Sequence, residues 1–425
     1  GGDSILVLSV VAEAAKRGVA ISAKQVLQHP TVRELAPVAV VAVVRPGEMS
    51  RSLSASEPFS ASNLQGSARS GLFARCPDAE DAIALTATQA EIYLLHILSP
   101  KRSRCYVEQL ALRITGPLDQ ARFAKAWAHA TRLHPMLRAE IQRRGLPRPT
   151  LVVRKNAEIV PAWLDWRSVA ESDWERAVAS FLEEDRERGV DLSAAPLSRV
   201  TAIRLGEDVT EVIWTYHHIV LDGWSEPIVL RSVFSAYQAL ANDKALPTET
   251  GRPFRDYADW LANLPMDPSE SAFRAMLAEF KEPVRLPLPK GDLLEEAEPF
   301  THGSTTVRLS KTQTDGLMAL ARRARVTWSS VVSTLWAGVI AEASGREELV
   351  LGTTVSGRQG ALAGLAEMVG SFITVLPLRV RVPRETGFLS WAAEVHGALM
   401  ALREHEHCHA TWIEGLSAVP QDKRP

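Results

Sequence analysis

The sequence is poor in the features that mark secreted, membrane-bound or nucleic-acid-binding proteins. Its 425 residues include only three cysteines, Cys76, Cys105 and Cys408, scattered and odd in number. They fit a reducing cytoplasm better than a disulfide framework. The formal net charge is -2, so no basic excess favours nucleic acid. The longest apolar run, Ala36 to Val44, is too short to span a bilayer, and no signal peptide is visible. We therefore expect a cytoplasmic protein with neither a nucleic-acid nor a membrane partner.

The chain has ample apolar sequence for folded domains. It is 46% hydrophobic and 23% charged over 425 residues, enough for at least two globular units with their own cores. From Arg45 to about Ala79 it is dominated by Ser, Ala and Gly and sustains no period, which predicts a linker. The sequence therefore divides into a short first part and a long second part.

The most informative stretch is His217-His218-Ile219-Val220-Leu221-Asp222-Gly223. Upstream, Val209 to Tyr216 is β-branched and aromatic, as a mostly buried strand should be. Downstream, Ser225 is placed to cap a helix. Neighbouring side chains on a strand point to opposite faces. One histidine can therefore face a site while the other is packed inside.

Local chemistry leaves three interpretations of this stretch open. The simplest is a pair of core histidines beside a capping Asp222. A metal site is less favoured, because the opposed faces keep the two imidazoles from converging. The third is catalytic, with an imidazole at the mouth of a strand and beside a helix N-terminus that favours developing negative charge.

The pattern HHxxxDG, continued here by Trp224-Ser225, resembles the signature of the condensation domains of nonribosomal peptide synthetases. Other stretches resemble further motifs of that family, in the family's order. They are Leu85–Gln89 with Tyr93, Arg132–Arg138, Asp191–Arg199, Phe254–Trp260, Thr353–Arg358 and Met368–Arg379. The resemblance covers nearly the whole chain.

The first residues carry a second resemblance. Gly1-Gly2-Asp3-Ser4-Ile5 alone most simply starts a helix, but with Pro30-Thr31 to Leu35 it is similar to the second half of a peptidyl carrier domain. That makes Ser4 the attachment site of a covalent 4'-phosphopantetheine. A hydroxyl at a helix N-terminus suits this role, because the amides there can hold a phosphate. The resemblance also implies that the carrier's first helix precedes Gly1 and that the family's closing strands follow Pro425.

The two resemblances together imply an α+β fold. Residues 1–44 would be the C-terminal part of a helical carrier bundle, 45–79 a linker and 80–425 a condensation domain. The condensation domain would have two chloramphenicol-acetyltransferase-like αβ lobes in a V around a central tunnel. The N-lobe would cover about 80–265 and the C-lobe about 266–425, truncated at its C-terminus.

The resemblance also implies roles for residues of the motif. His218 would lie in the tunnel as a general base or as a group that positions the substrate, with the Gly223 amide as a candidate oxyanion donor. His217 would be structural. Arg138, most simply a solvated charge, would form a buried structural ion pair with Asp222, because a buried carboxylate needs such a partner.

The implied reaction is peptide-bond formation. A peptidyl or aminoacyl group would pass from the phosphopantetheine thioester on the upstream carrier to the amine of an aminoacyl thioester on a downstream carrier. The partners would be adjacent synthetase domains, namely an adenylation domain and the downstream carrier, in a monomeric chain. No metal is expected. Glu404-His405-Glu406-His407 is most simply a solvated helix end, although a metal site there is an alternative.

Two alternatives share the fold. An epimerisation domain carries the same motif, and Asp3 is more frequent in carriers upstream of such domains. Asp222-Gly223-Trp224-Ser225 and the stretch Thr354–Arg358 instead resemble condensation domains that accept an L-configured donor. A non-catalytic recruitment module usually lacks an intact motif, and heterocyclising relatives have Asp where His217 and His218 stand. The sequence does not give the amino acids joined.

Overall fold

The structure is a computed structural model that describes residues 19–20, 33, 36–38, 40–41, 66–98, 106–248, 251–286, 305–359, 362–383 and 385–419. Its contacts divide these residues into two units. The first unit holds the described residues up to Leu264 together with 362–372. The second holds those from Pro265 to Gln359 and from Ile373 to Val419.

The regular elements of the described residues are numbered here in chain order. The strands are β1 (Val19–Ala20), β2 (Val40–Val41), β3 (Ala79–Ala84), β4 (Val107–Thr115), β5 (Ala139–Gln142), β6 (Thr150–Arg154), β7 (Ala162–Asp165), β8 (Ser198–Arg204), β9 (Val209–His217), β10 (Glu348–Val355) and β11 (Thr374–Arg381). The helices are α1 (Gly66–Arg75), α2 (Ala87–Leu98), α3 (Gln120–Leu133), α4 (Trp174–Arg188), α5 (Glu226–Ala241), α6 (Phe254–Ala262), α7 (Asp267–Leu277), α8 (Lys311–Ala324), α9 (Trp328–Ser344), α10 (Phe388–Leu402) and α11 (Ala410–Leu416). No described helix has the length and apolar character needed to cross a membrane.

The first unit is built on a four-stranded sheet in the order β4-β9-β8-β7. β9 pairs antiparallel with both β4 and β8, and β7 runs parallel to β8. Because β9 has a neighbour on each side and is covered on both faces, every residue from Thr210 to His217 is buried. The predicted strand is confirmed, and it extends one residue further, to His217.

Helices α3 and α5 cover one face of this sheet with an aromatic and aliphatic core. Trp127 of α3 meets Trp214 of β9 with ring centroids 5.3 Å apart. Val229 and Val233 of α5 are both 0% exposed, and burial of each such side chain contributes about 1.5–3 kcal/mol. Asp119 caps α3, as the sequence predicts, by accepting the N–H of Arg122 at 2.8 Å. The C-terminal end of β9 is thereby held against a rigid layer.

The predicted linker is shorter than expected. Residues 66–75 form helix α1, and Leu72 is 2% exposed in a small core with Ala79, Ala82 and Val152. These residues pack on a second sheet of the first unit, ordered β3-β6-β5. The Ser- and Gly-rich composition hid this helix, because its anchoring contacts are made 80 residues further along the chain, at Val152. The folded part of the chain that contains this sheet therefore begins before the predicted boundary at residue 79, with helix α1.

The second unit contains the antiparallel pair β10 and β11, in register from Glu348 opposite Arg381 to Val355 opposite Thr374. Helices α7, α9 and α10 supply much of its core, which includes Phe273, Ala337 and Trp391. The most apolar stripe of helix α9 is Val332, Leu335, Trp336 and Val339, yet these four side chains are exposed. The adjacent positions Val331, Thr334, Ala337 and Ile340 are the buried ones, since the packed face is rotated from the most apolar stripe.

Residues 362–372 return to the first unit although the chain on both sides belongs to the second. Their anchor is Phe372, 2% exposed, whose ring centroid lies 4.7 Å from that of Tyr257 and 5.3 Å from that of Phe254. Gly370 lies so close to the Phe254 ring that a Cβ there would overlap it, which is why this position takes no side chain. The sequence-based division near residue 266 does not include this return.

Most of the predicted carrier segment, including Ser4, lies outside the described residues. Within residues 1–44 the described strands are β1 and β2, which pair antiparallel through Val19 with Val41 and Ala20 with Val40. Of the predicted carrier helices the structure describes little: Arg33 is helical and Ala36–Val38 forms one short 3-10 turn.

Candidate active site

The two histidines at the end of β9 lie in opposite environments, as the strand alternation predicts. His217 is 0% exposed, whereas His218 is partly exposed. Both backbones are fixed: His217 N donates to Leu197 O at 3.0 Å, and His218 N donates to Tyr106 O at 2.8 Å. His218 therefore lies at a fixed strand end as a partly exposed residue, with its Nδ1 buried.

His217 folds the loop that follows it. Its Nδ1 accepts the N–H of Ile219 at 3.2 Å, and its carbonyl accepts the N–H of Val220 at 3.1 Å. Burial, together with the nearby His96 and His218, lowers the pKa of His217 from its ordinary value to about 3. The ring is therefore neutral near pH 7, as an accepting Nδ1 requires.

Gln89 holds the middle of the loop. It is 0% exposed, and its Nε2 donates to Ile219 O at 2.8 Å. Its Oε1 accepts the N–H of Thr86 at 3.0 Å, and Thr86 Oγ1 accepts the N–H of Gln89 at 3.3 Å, a reciprocal cap at the start of α2. Gln89 belongs to one of the stretches that resemble a family motif, but its role could not be predicted from the sequence. Its partner, the carbonyl of Ile219, lies 130 residues away.

Asp222 closes the loop onto the returning segment. It is 0% exposed; Oδ1 accepts the N–H of Ser225 at 2.9 Å and Oδ2 that of Phe372 at 3.1 Å. Its own N–H donates to Gly370 O at 3.1 Å. Ser225 Oγ accepts the N–H of Gly370 at 3.0 Å and lies within reach of both Asp222 Oδ1 and Gly370 O, at 2.9 and 2.8 Å. Three polar groups of the loop, the Asp222 carboxylate, the Asp222 N–H and the Ser225 hydroxyl, therefore fix it to residues 370–372.

Ser225 differs from its prediction in one respect. It occupies the N-cap position of α5, but its side chain makes no capping hydrogen bond. The hydroxyl is engaged with Gly370 and Asp222 instead. Its role is to join the loop to residue 370, and the sequence could not show this because the partner is distant in the chain.

The expected ion pair between Arg138 and Asp222 is wrong. Arg138, 5% exposed, bonds Glu80 Oε2 through Nη1 at 2.5 Å. The same guanidinium donates to Arg154 O at 2.5 Å and to Thr131 O at 3.2 Å. The short helix Pro135–Arg138 aims this side chain at β3 and β6, and backbone and hydroxyl donors already serve the Asp222 carboxylate. Arg138 therefore secures the second sheet of the first unit.

Gly223 lies in an exposed turn three residues before α5 begins at Glu226. Its N–H makes no hydrogen bond to another described residue, so this amide can donate to a ligand. It lies before the helix, however, and is not one of the amides of the first helical turn. At the first helical position, Glu226 Oε1 accepts the Tyr216 hydroxyl proton at 2.5 Å. Burial, with help from Glu226, raises the pKa of Tyr216, so this phenol stays protonated.

The side chains of the Glu404–His407 stretch, in the second unit, take part in hydrogen bonds within that unit. Ser269 Oγ lies 2.9 Å from His405 Nδ1 and 3.1 Å from His407 Nε2, and Glu406 accepts the hydroxyl proton of Ser356 at 2.9 Å. Among the described residues no group of three or more His, Cys, Asp or Glu side chains is placed to hold a metal ion.

Two stretches of the chain match models of known protein families. Residues 79–425 match the family model "Condensation domain", and residues 1–37 match "Phosphopantetheine attachment site". The chain therefore belongs to the condensation-domain family of nonribosomal peptide synthetases, which are acyltransferase-type enzymes that form peptide bonds. Its first residues belong to a domain that carries covalent 4'-phosphopantetheine. The two resemblances seen in the sequence are confirmed.

Curated relatives agree. The chain is 34% identical over 347 residues to a linear gramicidin synthase of Brevibacillus parabrevis, covering 81% of this chain and 4% of that protein. It is 33% identical over 317 residues to chondramide synthase cmdD of Chondromyces crocatus, covering 74% of this chain and 8% of that protein. The chain thus spans less than a tenth of these relatives.

Solved structures confirm the α+β condensation-domain fold. The first condensation domain of the calcium-dependent antibiotic synthetase, in complex with a substrate analogue, matches with a TM-score of 0.66 at 23% identity over 80% of this chain and 79% of its own. The X-domain from teicoplanin biosynthesis matches with a TM-score of 0.65 at 23% identity over 79% and 74%. At these identities the likeness establishes the fold alone.

Proposed function

We propose that this chain forms a peptide bond between two carrier-bound substrates. The donor is a peptidyl or aminoacyl thioester on the carrier that contains Ser4. The acceptor is the α-amine of an aminoacyl thioester on a downstream carrier. Ser4 is the attachment residue we propose, because it is the serine of the Gly-Gly-Asp-Ser motif within the matched attachment segment. When bound, 4'-phosphopantetheine supplies a mobile thiol that carries the acyl group in activated form.

The observation that carries this proposal is the partly exposed His218 beside the fully buried His217 at one strand end. Of the two imidazoles, only that of His218 can reach an amine from solvent. Its backbone is fixed through Tyr106 O, so the ring starts from a defined position. His218 would take the proton of the attacking amine or hold that amine in line, and the Gly223 N–H would donate to the oxygen on which negative charge develops.

The neighbouring groups are better suited to holding the loop than to moving protons. His217 is buried with a pKa of about 3, so its ring stays neutral near pH 7 and cannot reach a substrate to exchange protons with it. Asp222 already accepts two backbone amides, which leaves its carboxylate committed to structure. We assign both residues structural roles.

Magnitudes limit what His218 must contribute. Aminolysis of a thioester is downhill, and holding both tethered reactants in register can supply about 7–11 kcal/mol of the barrier. A positioned general base adds roughly 10²–10⁴-fold. We therefore expect His218→Ala to reduce the transfer rate by about a hundredfold or more, with little change in folding because the side chain is partly exposed.

The test follows acyl transfer between carriers by intact-protein mass spectrometry. The synthetase module that contains this chain is loaded at Ser4 with an aminoacyl-phosphopantetheine and mixed with an aminoacyl-loaded downstream carrier. Growth of that carrier by one donor residue, abolished by His218→Ala and retained by His396→Ala, is the expected result. His396 is a matched control because it is partly exposed and belongs to the second unit. A loss of tenfold or less in His218→Ala would contradict the catalytic role.

The same experiment separates the alternatives. Recovery of racemised donor from Ser4 without transfer would identify an epimerisation domain. Capture of a tailoring enzyme without any acyl transfer would favour a recruitment module. Comparing D- and L-configured donors tests our proposal that the donor is L-configured, for which the support is the sequence Asp222-Gly223-Trp224-Ser225.

A further inference from the structure

The edge of His217 that points away from the motif loop holds a polar atom that needs a partner. Because Nδ1 accepts the N–H of Ile219, the single proton of the neutral ring is on Nε2. That atom is buried, and within the described part of the chain it has no hydrogen-bond partner. Folded proteins rarely leave a buried donor unpaired.

The ring of His96, in the last turn of α2, packs against the ring of His217. The His96 and His217 ring centroids lie 5.2 Å apart, and the rings meet edge to face at 69°. His96 Nδ1 is likewise buried and makes no hydrogen bond to any described residue. Burial lowers the pKa of His96, against the charge of Asp191, so this ring can be neutral and can offer a nitrogen without a proton. One unpaired donor and one unpaired acceptor are thus carried by two rings that touch each other.

We propose that His96 is a positioning residue for the motif loop. In this proposal the Nε2–H of His217 donates a hydrogen bond to one enclosed water molecule, and that water donates to Nδ1 of His96. Such a water has polar partners on both sides, which is what retains water inside proteins. The link fixes the tautomer of His217 that lets Nδ1 accept from Ile219. With the proton on Nδ1 instead, two N–H groups would face each other and the turn would open.

Helix α2 then holds the loop at two points. Gln89 binds the carbonyl of Ile219 near the start of the helix, and His96 holds the ring of His217 near its end. Because His217 and His218 are consecutive, any shift of the buried ring is passed to the exposed one. The effect on transfer rests on the function proposed for His218, whereas the link between His96 and His217 does not.

The test compares two substitutions of different polarity. His96→Leu removes the acceptor at about the same volume. His96→Asn places an amide oxygen close to the position of Nδ1 and should restore the link. His134→Leu is the control, because it removes another buried imidazole, one bonded to Ser232 rather than to the loop.

The first readout is the imidazole ¹⁵N spectrum of the ¹⁵N-histidine-labelled full chain. In the wild type and in His96→Asn we expect His217 as the Nε2–H tautomer with a slowly exchanging proton. In His96→Leu we expect that proton to exchange faster and the Nδ1–H tautomer to appear. An unchanged His217 spectrum in His96→Leu, or an Nδ1–H tautomer in the wild type, would overturn the proposal. If His96→Leu does not fold, the wild type and His96→Asn still test the proposal, because an Nδ1–H tautomer or a rapidly exchanging Nε2 proton in either would overturn it.

The second readout is acyl transfer between loaded carriers. A catalytic group misplaced by about 1 Å can lose about 100-fold in rate, and an indirect shift through His217 should lose less, on the order of tenfold. We expect that loss in His96→Leu, recovery in His96→Asn and normal transfer in folded His134→Leu. Equal losses in His96→Asn and His96→Leu would overturn the positioning role. Absence of transfer in the wild type would overturn the proposed function, while the ¹⁵N spectrum would still decide the link.

Discussion

Replacement of Asp222 should detach the motif loop from residues 370–372. The carboxylate accepts the N–H of Ser225 at 2.9 Å and that of Phe372 at 3.1 Å, and it is 0% exposed. Asp222→Ala removes the carboxylate acceptor of the Phe372 N–H, at about 1–3 kcal/mol and more because the lost acceptor is charged. The Ser225 N–H keeps the backbone carbonyl of residue 222, at 2.9 Å, and loses only its second acceptor. The expected loss is therefore about 2–4 kcal/mol, a large part of the roughly 5–15 kcal/mol of a typical domain.

Asp222→Asn should show an intermediate effect. One side-chain oxygen can still accept the N–H of Ser225, but the amide nitrogen then faces the N–H of Phe372, and donor meets donor. The cost of one unpaired amide is about 1–3 kcal/mol. Asp165→Ala is the control, because Asp165 is exposed and bonds Arg167 at the surface, and it should leave stability near that of the wild type.

Two measurements check this order. Urea unfolding followed by tryptophan fluorescence gives the free energy of unfolding, and Trp214, in the centre of β9, reports on the first unit. Hydrogen–deuterium exchange of peptides that cover residues 366–374 reports on the Phe372 amide directly. If Asp222→Ala costs under about 1 kcal/mol and the Phe372 amide stays protected, the contacts described here do not hold the loop.

Three further perturbations test the same framework. The free energy of unfolding should fall as the pH drops below 6.5, because the unfolded chain protonates His217 there while the folded chain resists down to about pH 3. This one group contributes about 1.4 kcal/mol per pH unit. Urea unfolding at a series of pH values should therefore show a weaker dependence of stability on pH in His217→Asn. Gly370→Ala should cost about 1–3 kcal/mol through overlap with Phe254, and adding Phe254→Leu should recover part of the urea midpoint; no recovery would argue against that contact. Arg138→Met should cost about 1–3 kcal/mol and raise hydrogen exchange in residues 79–84, near Glu80, while transfer by the folded protein continues; loss of transfer without that exchange would instead link Arg138 to the motif loop.

Local pattern was enough to place the motif. The β-branched and aromatic run before His217 predicts the buried strand, and alternation predicts that His217 and His218 differ in exposure, as they do. These properties depend on neighbours within a few residues, which a single sequence displays. The cap of α3 by Asp119 was predictable for the same reason.

Contacts across the chain were not predictable in this way. The partner of Arg138 was misassigned because the sequence offers this cation several carboxylates, and only the fold decides that Glu80 is the one. Gln89 and Ser225 bind backbone groups 130 and 145 residues away, and a backbone acceptor carries no side-chain signature in the sequence. Helix α1 was hidden for a related reason, since its stability comes from tertiary packing of Leu72 and not from a strong helical period.

The return of residues 362–372 to the first unit also bears on recombination between related synthetases. Since neither unit is one continuous stretch of chain, a single crossover after Leu264 would combine a motif loop from one parent with its anchoring residues from the other. Such a hybrid can keep the bonds of Asp222 and Ser225, because they reach the backbone of Gly370 and Phe372. It cannot tolerate a side chain at position 370 opposite the aromatic ring of Phe254. Whether two related synthetases can be joined at that crossover therefore depends on a glycine at position 370 wherever the other parent supplies the ring at position 254.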